Sequence, residues 1–175
     1  YKKPDISEQV KTAPPVFNKN PLSKIKKISQ LAPNHPVKKY IESRQIPANQ
    51  HYRLYYAPKF MTWINSLVPG KFEDVKKDEP RLVIPLIDKD GKVFGVSARA
   101  FDPKSLRYIT IMFYDRPKIF GLDTVDFNKP YLVTEGGLDA MFLSNSLAMV
   151  GADTNMDGLE NKKNAIFVHD SENRN

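Results

Sequence analysis

The stretch YLVTEGGLDA, residues 131–140, carries a mostly apolar run into a glutamate, two glycines and, four positions after the glutamate, an aspartate. The apolar run predicts a buried strand, and the two glycines permit a sharp turn from strand to helix. Asp139 then falls in the first helical turn, where the helix dipole favours a carboxylate. The segment therefore predicts a strand that ends at Glu135 and presents two carboxylates at one edge of a sheet.

A second pair of carboxylates, Asp170 and Glu172, follows the apolar run AIFV of residues 165–168. The order strand, helix, strand, possible short helix, strand after residue 130 predicts parallel strands, whose carboxyl ends meet at one edge. Four carboxylates there would repel one another, and a hard cation such as Mg²⁺ would offset this repulsion. The combination favours a metal site over the alternative that these residues are only helix caps and turn formers.

Upstream of residue 131, apolar spacing predicts two short helices, within residues 34–47 and 57–70, each ended by a proline. From residue 81 onward, apolar residues instead recur at the spacing typical of strands. The pair Asp90-Gly91 lies between two strand-like runs and predicts a hairpin over residues 81–101, with a further strand in residues 106–113. The predicted fold class is α/β, with an α+β part followed by a parallel-sheet part.

Changes in composition and pattern predict three parts of the chain. Residues 1–30, rich in Lys and Pro, are expected to form a basic linker. Residues 31–128 are predicted to form a basic α+β subdomain, and residues 129–175 the parallel-sheet subdomain. Because the chain begins with Tyr1 and stops just after its last predicted strand, we expect it to be a fragment, truncated within that last subdomain.

Charge and composition narrow the classes of function. The 175 residues carry a formal net charge of +7, which favours a polyanionic partner. There is no cysteine, so disulfides, thiolate metal ligands and cysteine nucleophiles are excluded, and no zinc is expected. The sequence contains neither a P-loop nor a G-x-G-x-x-G motif. No apolar run is long enough to span a membrane and no signal peptide opens the chain, so a cytoplasmic protein without a membrane partner is expected.

The order of these motifs resembles the catalytic core of bacterial-type DNA primases, most closely those of large tailed phages. YLVTEGGLDA, AMVGAD and FVHDSENRN resemble the TOPRIM module, which primases share with topoisomerases and some nucleases. The upstream part resembles primases specifically. It has an arginine-led strand, a D-x-x-G hairpin, a G-x-x-x-R segment and a lysine before an aromatic–glycine pair, in the order found in that family.

The resemblance implies roles for eight residues. Two of them, Glu135 and Asp139, match catalytic residues of the family, and the metal ligands are matched by Glu135, Asp139, Asp170 and Glu172. The cluster that holds template and nucleotide phosphates is matched by Arg81, Arg99, Arg107 and Lys118. Three positions depart from the usual pattern, namely Gly137 in place of proline, Glu172 in place of aspartate and Arg107 in place of lysine. The implied cofactor is Mg²⁺ or Mn²⁺.

The implied activity is template-directed synthesis of RNA primers from ribonucleoside triphosphates on single-stranded DNA, by a DNA-directed RNA polymerase. A replicative hexameric helicase is the implied partner, in the cytoplasm of a bacterial or phage-infected cell. Two alternatives stay open: a TOPRIM nuclease or topoisomerase-like strand-cleaving enzyme, and a non-catalytic module that binds DNA or docks on a helicase. The fragment alone could also be inactive.

Aromatic and histidine residues could in principle add to the site. Helical spacing favours core packing over base stacking for the aromatic residues near the second helix. The histidines are most simply surface or turn residues, with only His169 adjacent to a predicted ligand. The residues concerned are Tyr55, Tyr56, Phe60, Trp63, His35, His51 and His169.

Overall fold

The computed structural model describes residues 20–151 and 156–169. Asp170 and Glu172 therefore lie outside the described residues. Three α-helices are present in these ranges: α1 (Pro36–Ser43), α2 (Phe60–Leu67) and α3 (Gly137–Ala140). The strands are β1 (Lys26–Lys27), β2 (Tyr55–Ala57), β3 (Arg81–Ile87), β4 (Val93–Ala100), β5 (Tyr108–Met112), β6 (Ile119–Phe120), β7 (Tyr131–Thr134), β8 (Ser146–Met149) and β9 (Ala165–Phe167). Short 3₁₀ turns occupy Pro21–Lys24, Ile28–Gln30, Ala48–Arg53, Met156–Gly158 and Lys162–Asn164.

Strands β1 to β5 form an antiparallel sheet in chain order, which confirms the predicted hairpin of β3 and β4. The hairpin turn is closed by Asp88, whose N–H donates to the Lys92 carbonyl at 3.0 Å. Gly91 lies in the turn with φ +78°, a conformation that glycine adopts at no steric cost. The Asp90-Gly91 pair thus acts as the sequence predicts.

Both upstream helices form where apolar spacing predicts them. In α1, Pro36 occupies the first turn and His35 Nδ1 accepts a hydrogen bond from the Val37 N–H at 3.2 Å. In α2, the two carboxylate oxygens of Asp78 accept from the N–H groups of Met61 and Thr62 at 2.7 and 2.8 Å. This cap from a distant loop satisfies donors that the helix itself leaves unpaired.

The second sheet has the order β6-β8-β7-β9, in which β7 pairs in parallel with both β8 and β9. The predicted parallel arrangement and the α/β fold class are confirmed. The helix predicted after Gly137 is much shorter than its apolar run suggested, because α3 is a single turn and β8 begins already at Ser146. Asn145 adopts φ +44°, and the Ser146 hydroxyl lies 2.7 Å from the Ala140 carbonyl, which ends the helix early.

Residues 20–30 correct the prediction of a linker. Leu22 is only 3% exposed and Ile28 is fully buried, and Lys26 and Lys27 pair with β2 as the edge strand β1. The few apolar residues of this segment are enough to order it, because they pack into two hydrophobic clusters of the rest of the chain. The earlier residues of the predicted linker, 1–19, lie outside the described residues.

One hydrophobic cluster joins the two sheets. It contains Ile84 and Phe94 of the antiparallel sheet together with Phe120, Leu138 and Val150 from the second sheet and its turn region. A separate cluster lies on the other face of the antiparallel sheet, beneath α2. Strand β6 belongs to the second sheet, although residues 119–120 precede the predicted subdomain boundary at residue 128. That boundary stays a prediction.

The aromatic side chains of α2 pack in the core, as helical spacing predicted. Phe60 is fully buried and Trp63 is 6% exposed, so neither offers a stacking surface. His51 lies in the 3₁₀ turn Ala48–Arg53, as one of its two predicted settings requires, but it is only 5% exposed and its Nε2 lies 3.0 Å from the Ile46 carbonyl. Among the described residues, no helix has the length and apolar character that a bilayer crossing requires.

Candidate active site between the two sheets

Glu135 lies directly after β7, at the carboxyl edge of the parallel strands. Its side chain is 69% exposed, and Oε1 lies 3.6 Å from His169 Nδ1. Apolar residues bury β7 itself, so the strand presents this carboxylate from a rigid support. The position matches the edge at which ligands bind in open parallel sheets.

Asp139 shares this edge. A Cβ atom placed on Gly136 would lie 2.0 Å from Asp139 Oδ2, so this carboxylate rests directly against the backbone of the residue that follows Glu135. Any larger residue at position 136 would displace it. The structure therefore brings the first two predicted acidic residues together, and it explains why the first glycine is needed.

The second glycine of the motif has a different role. A Cβ atom on Gly137 would lie 3.3 Å from Ile84 Cγ2 and 3.6 Å from Val150 Cγ1. Gly137 is buried between the two sheets, where its lack of a side chain lets α3 approach β3. This close packing holds the acidic turn against the antiparallel sheet.

Glu135 borders two cavities. One, of about 290 Å³, lies between the sheets and is lined by Ser97, Tyr108 and Thr110 of the antiparallel sheet and by Gly136 and Gly151 of the second. The other, of about 500 Å³, extends over the carboxyl ends of the parallel strands towards His169. A substrate that spans both cavities would pass the Glu135 carboxylate.

Arg99 lies on β4 behind the wall of the smaller cavity. Its Nη1 donates to the Tyr108 hydroxyl at 2.7 Å and its Nε donates to the Tyr40 hydroxyl at 3.0 Å. Burial on its own lowers the pKa of Arg99, but the hydrogen bonds with Tyr108 and Tyr40 outweigh this effect and raise the pKa above its usual value. The guanidinium therefore stays charged beside the cavity.

Lys118 lies at the rim of the same cavity. A Cβ atom on Gly151 would be 3.1 Å from Lys118 Cδ and 3.8 Å from Nζ, so the lysine side chain runs across a residue that lines both cavities. The Lys118 carbonyl accepts from the Val150 N–H at 2.8 Å, which fixes the lysine backbone to the second sheet. Arg99 and Lys118 thus lie beside the smaller cavity, Arg99 on β4 and Lys118 directly before β6.

The other two predicted phosphate-binding residues lie elsewhere. Arg107 is exposed just before β5. Arg81 is 1% exposed, forms an ion pair with Glu79 and donates from Nη1 to the Leu106 carbonyl at 3.0 Å. Because Arg99 pairs with Leu82 rather than with Arg81, the two arginines point to opposite faces of the antiparallel sheet.

Sequence reasoning missed the polar wall of the smaller cavity. Ser97 and Arg99 are two positions apart on β4, and they pair with Thr110 and Tyr108 of β5. The four side chains therefore point to the same face and form a polar stripe on an otherwise apolar sheet face. The Ser97 and Thr110 hydroxyls lie 3.5 Å apart. The period-two polar pattern within two predicted strands was the signal that could have identified this wall.

Two carboxylates at this edge could take part in holding a metal ion. Within residues 20–151 and 156–169, no three His, Asp or Glu side chains form a group that could hold one. Glu135 and Asp139 supply carboxylate oxygens at one exposed edge, which suits a hard cation that keeps several water ligands. The second predicted pair, Asp170 and Glu172, lies outside the described residues, so the four-ligand set stays a prediction.

Known proteins similar to this chain were found by sequence and by structure. No protein-family model matches the chain. A DNA primase from Enterobacteria phage T4 is 32% identical over 150 residues, which cover 85% of this chain and 43% of that protein. The chain thus spans less than half the length of this relative.

Two solved structures share the fold. The RNA polymerase domain of Mycobacterium tuberculosis primase DnaG matches with a TM-score of 0.59 at 19% identity, over 82% of this chain and 62% of that one. A DnaG primase catalytic domain bound to ssDNA matches with a TM-score of 0.57 at 16% identity, over 82% and 56% of the two chains. The chain is thus similar in sequence to a phage DNA primase and has the fold of primase catalytic domains.

Proposed function

We propose that the chain is the catalytic core of a DNA primase that makes short RNA primers on single-stranded DNA by metal-dependent nucleotidyl transfer. The observation that carries this proposal is the position of Glu135, which borders two cavities at the carboxyl edge of the parallel strands. The sequence similarity to a DNA primase of phage T4 supports the same reaction.

The cofactor in this proposal is Mg²⁺ or Mn²⁺, held by Glu135 and Asp139 with Asp170 and Glu172. At this edge these carboxylates would hold a cation that would supply Lewis-acid activation of a primer 3′-hydroxyl and neutralisation of charge on a triphosphate. The protein holds the two described carboxylates in place, because β7 fixes Glu135 and the backbone of Gly136 supports Asp139. Such preorganisation is the main contribution that a protein makes to phosphoryl transfer.

The basic residues would hold the phosphates of the template and of the incoming nucleotide. Arg99 and Lys118 flank the cavities that Glu135 borders, and Arg107 is exposed at the start of the polar wall. Arg81 is buried, so its part in this proposal is to hold the backbone at Leu106 and thereby the residue that follows it. Cations that the fold holds in position orient phosphates with little reorganisation during the reaction.

The proposed partners are a single-stranded DNA template, ribonucleoside triphosphates and a replicative hexameric helicase within a primosome. A structure with the same fold is described as bound to ssDNA, which favours this template. The excess of 27 Lys and Arg over 20 Asp and Glu gives the chain the charge that nucleic-acid binding requires. The proposed location is the cytoplasm of a bacterial or phage-infected cell.

Ribonucleotide incorporation on a single-stranded DNA template, with Mg²⁺ or Mn²⁺, tests the proposal. We expect Glu135→Gln to reduce incorporation by about 100-fold or more, because it removes a carboxylate that would hold the divalent cation. Glu42→Gln is the matched control, since Glu42 is exposed on α1. Calorimetric titration of Mn²⁺ into both variants measures metal affinity separately.

The outcomes separate the three functional classes. RNA synthesis that depends on Glu135 supports a primase. Metal-dependent cleavage of DNA without RNA synthesis would favour a TOPRIM nuclease or topoisomerase-like enzyme. Binding of DNA with neither metal affinity nor chemistry would favour the non-catalytic module.

A further inference from the structure

We propose that Asp88, in the β3–β4 turn, is a positioning residue for Lys118 and acts on it through Arg116. This inference rests on the proposed function, because it concerns how a phosphate-binding lysine is held. Asp88 begins the D-x-x-G hairpin motif, and the turn alone does not account for all of its contacts.

Asp88 makes more polar contacts than a turn residue needs. Its Oδ1 accepts from the N–H groups of Asp90 and Lys92 at 3.0 and 2.9 Å, and its carbonyl accepts from Gly91 N–H at 2.9 Å. These bonds complete the turn. The second carboxylate oxygen, Oδ2, is left to accept from Arg116 Nη1 at 2.7 Å.

The ion pair with Arg116 is partly shielded from water. The Asp88 side chain is 10% exposed and that of Arg116 is 45% exposed. Burial raises the pKa of Asp88, but hydrogen bonds from Lys92, Arg116 and Asp90 together lower it below its usual value, so the carboxylate stays ionised. The pair therefore persists at neutral pH and joins residues 28 positions apart.

The hairpin turn holds the segment before β6 at two further points. Lys92 Nζ lies 4.0 Å from the centre of the Tyr114 ring, and Arg116 Cζ lies 5.6 Å from that of the Phe94 ring. Cation–π contacts of this kind add to the ion pair. The turn thus fixes the segment that leads to the phosphate-binding lysine.

Pro117 transmits this position to Lys118. Its ring fixes φ, so the step from Arg116 to Lys118 has little rotational freedom. A Cβ atom on Gly158 would lie 3.2 Å from Pro117 Cβ, so the proline also packs against the 3₁₀ turn Met156–Gly158. The Lys118 carbonyl in turn accepts a hydrogen bond from the Val150 N–H, next to β8. The lysine is therefore fixed between the hairpin of one sheet and the edge of the other.

Nucleotide affinity of Arg116→Gln, measured with methylanthraniloyl-labelled GTP and Mn²⁺, tests this role. Arg116 is half exposed, so we expect the variant to fold and to bind the nucleotide about 3- to 10-fold more weakly. Arg116→Lys keeps the ion pair and should restore most of the affinity. Asp115→Asn is the matched control, because Asp115 is its exposed neighbour.

A double-mutant cycle distinguishes positioning from a general effect on stability. On a Lys118→Met background, Arg116→Gln should cause no further loss of affinity, because the residue on which it acts is absent. An equal loss on both backgrounds, or no loss in Arg116→Gln alone, would overturn the inference. Melting temperatures of all variants show whether a loss reflects unfolding.

Failure of the proposed function gives a different result. If the wild-type chain binds the labelled GTP and shows the expected cycle but makes no RNA, the inference stands and the primase activity is contradicted. If the wild-type chain binds no nucleotide, both are contradicted.

Discussion

Arg81 and Arg99 lie on adjacent strands of one sheet but on opposite faces. The charge of Arg81 is neutralised by an ion pair, whereas that of Arg99 is not. Arg81 faces α2, where its Cζ lies 5.7 Å from the Phe60 ring centre and Glu79 neutralises it. Arg99 faces the second sheet, and its two side-chain partners, Tyr40 and Tyr108, are neutral hydroxyls. The first arginine stabilises the fold, whereas the second keeps a net positive charge beside the acidic edge.

This difference teaches that a basic residue in a recognisable motif need not bind a substrate. Both residues were assigned to phosphate binding by the same resemblance, and both are largely buried, with 1% and 9% of their surfaces exposed. The two arginines differ in the side chains that bind them and in the face of the sheet on which they lie. The following predictions test whether the two faces differ in this way.

Arg81→Met should have the largest effect on stability. Removing one partner of a fully buried ion pair typically costs about 3–5 kcal/mol, and because the Glu79 side chain is 23% exposed, we expect a loss near the lower end of this range. Urea denaturation followed by circular dichroism measures this loss, with exposed Arg107→Met as the control. A stable Arg81→Met protein with weakened nucleotide binding would show that the α2 face also serves the substrate.

Arg99→Met should affect the proposed activity more than the stability. Loss of this charge is expected to reduce ribonucleotide incorporation about 10- to 100-fold, since it acts near the developing phosphate charge. Arg99→Lys should recover only part of the activity, because a lysine cannot reach both tyrosine hydroxyls at once. If Arg99→Met unfolds the protein as Arg81→Met should, the contrast between the faces is wrong.

Gly136→Ala should affect mainly the activity and Gly137→Ala mainly the stability, although the two residues are neighbours in one turn. The first substitution displaces the carboxylate end of Asp139, a flexible side chain, so we expect reduced activity with little change in melting temperature. The second inserts a methyl group between packed side chains of the two sheets and should cost about 1–2 kcal/mol. Thermal unfolding and incorporation assays on both variants measure these effects, and a reversed result would contradict the assignments.

The smallest expected effect concerns pH. The pKa of Asp88 is lowered in the folded protein, so its contribution to stability is complete above the pKa of an unfolded aspartate, about 3.9, and is lost as the pH falls through the folded pKa. Asp88→Asn should therefore flatten the acid limb of the stability curve. Urea midpoints of both proteins between about pH 2 and pH 6 would reveal it, and parallel curves would argue against an ionised Asp88.

Local sequence patterns predicted most of the fold. Proline positions and apolar spacing identified α1 and α2, and the Asp90-Gly91 pair identified the hairpin, because these signals act within a few residues of one another. Predictions failed where the deciding contact leaves no trace in apolar spacing. The early end of α3 depends on Ser146 and on the left-handed Asn145, and the burial of Leu22 depends on a sheet formed by residues far along the chain.

The candidate site was predictable in its acidic part and less so in its basic part. Glu135 and Asp139 meet at one edge because strand, turn and helix are consecutive in sequence. The face on which an arginine points depends on strand register, and the pairing of Leu82 with Arg99 cannot be derived from the arginines themselves. The polar wall of Ser97, Tyr108 and Thr110 could not be predicted for the same reason, because the sequence does not show which strand face lies against the second sheet.

The hydrophobic cluster that joins the two sheets bears on how such a molecule changes over evolution. Ile84, Phe94 and Leu86 share one core with Phe120 and Val150, so a second sheet acquired from another gene would have to match the existing surface. Exchange by recombination near residue 128 would expose these side chains in both products. Among proteins that carry both sheets, we therefore expect the two to be inherited together, with sequence diversity concentrated in loops outside the shared core.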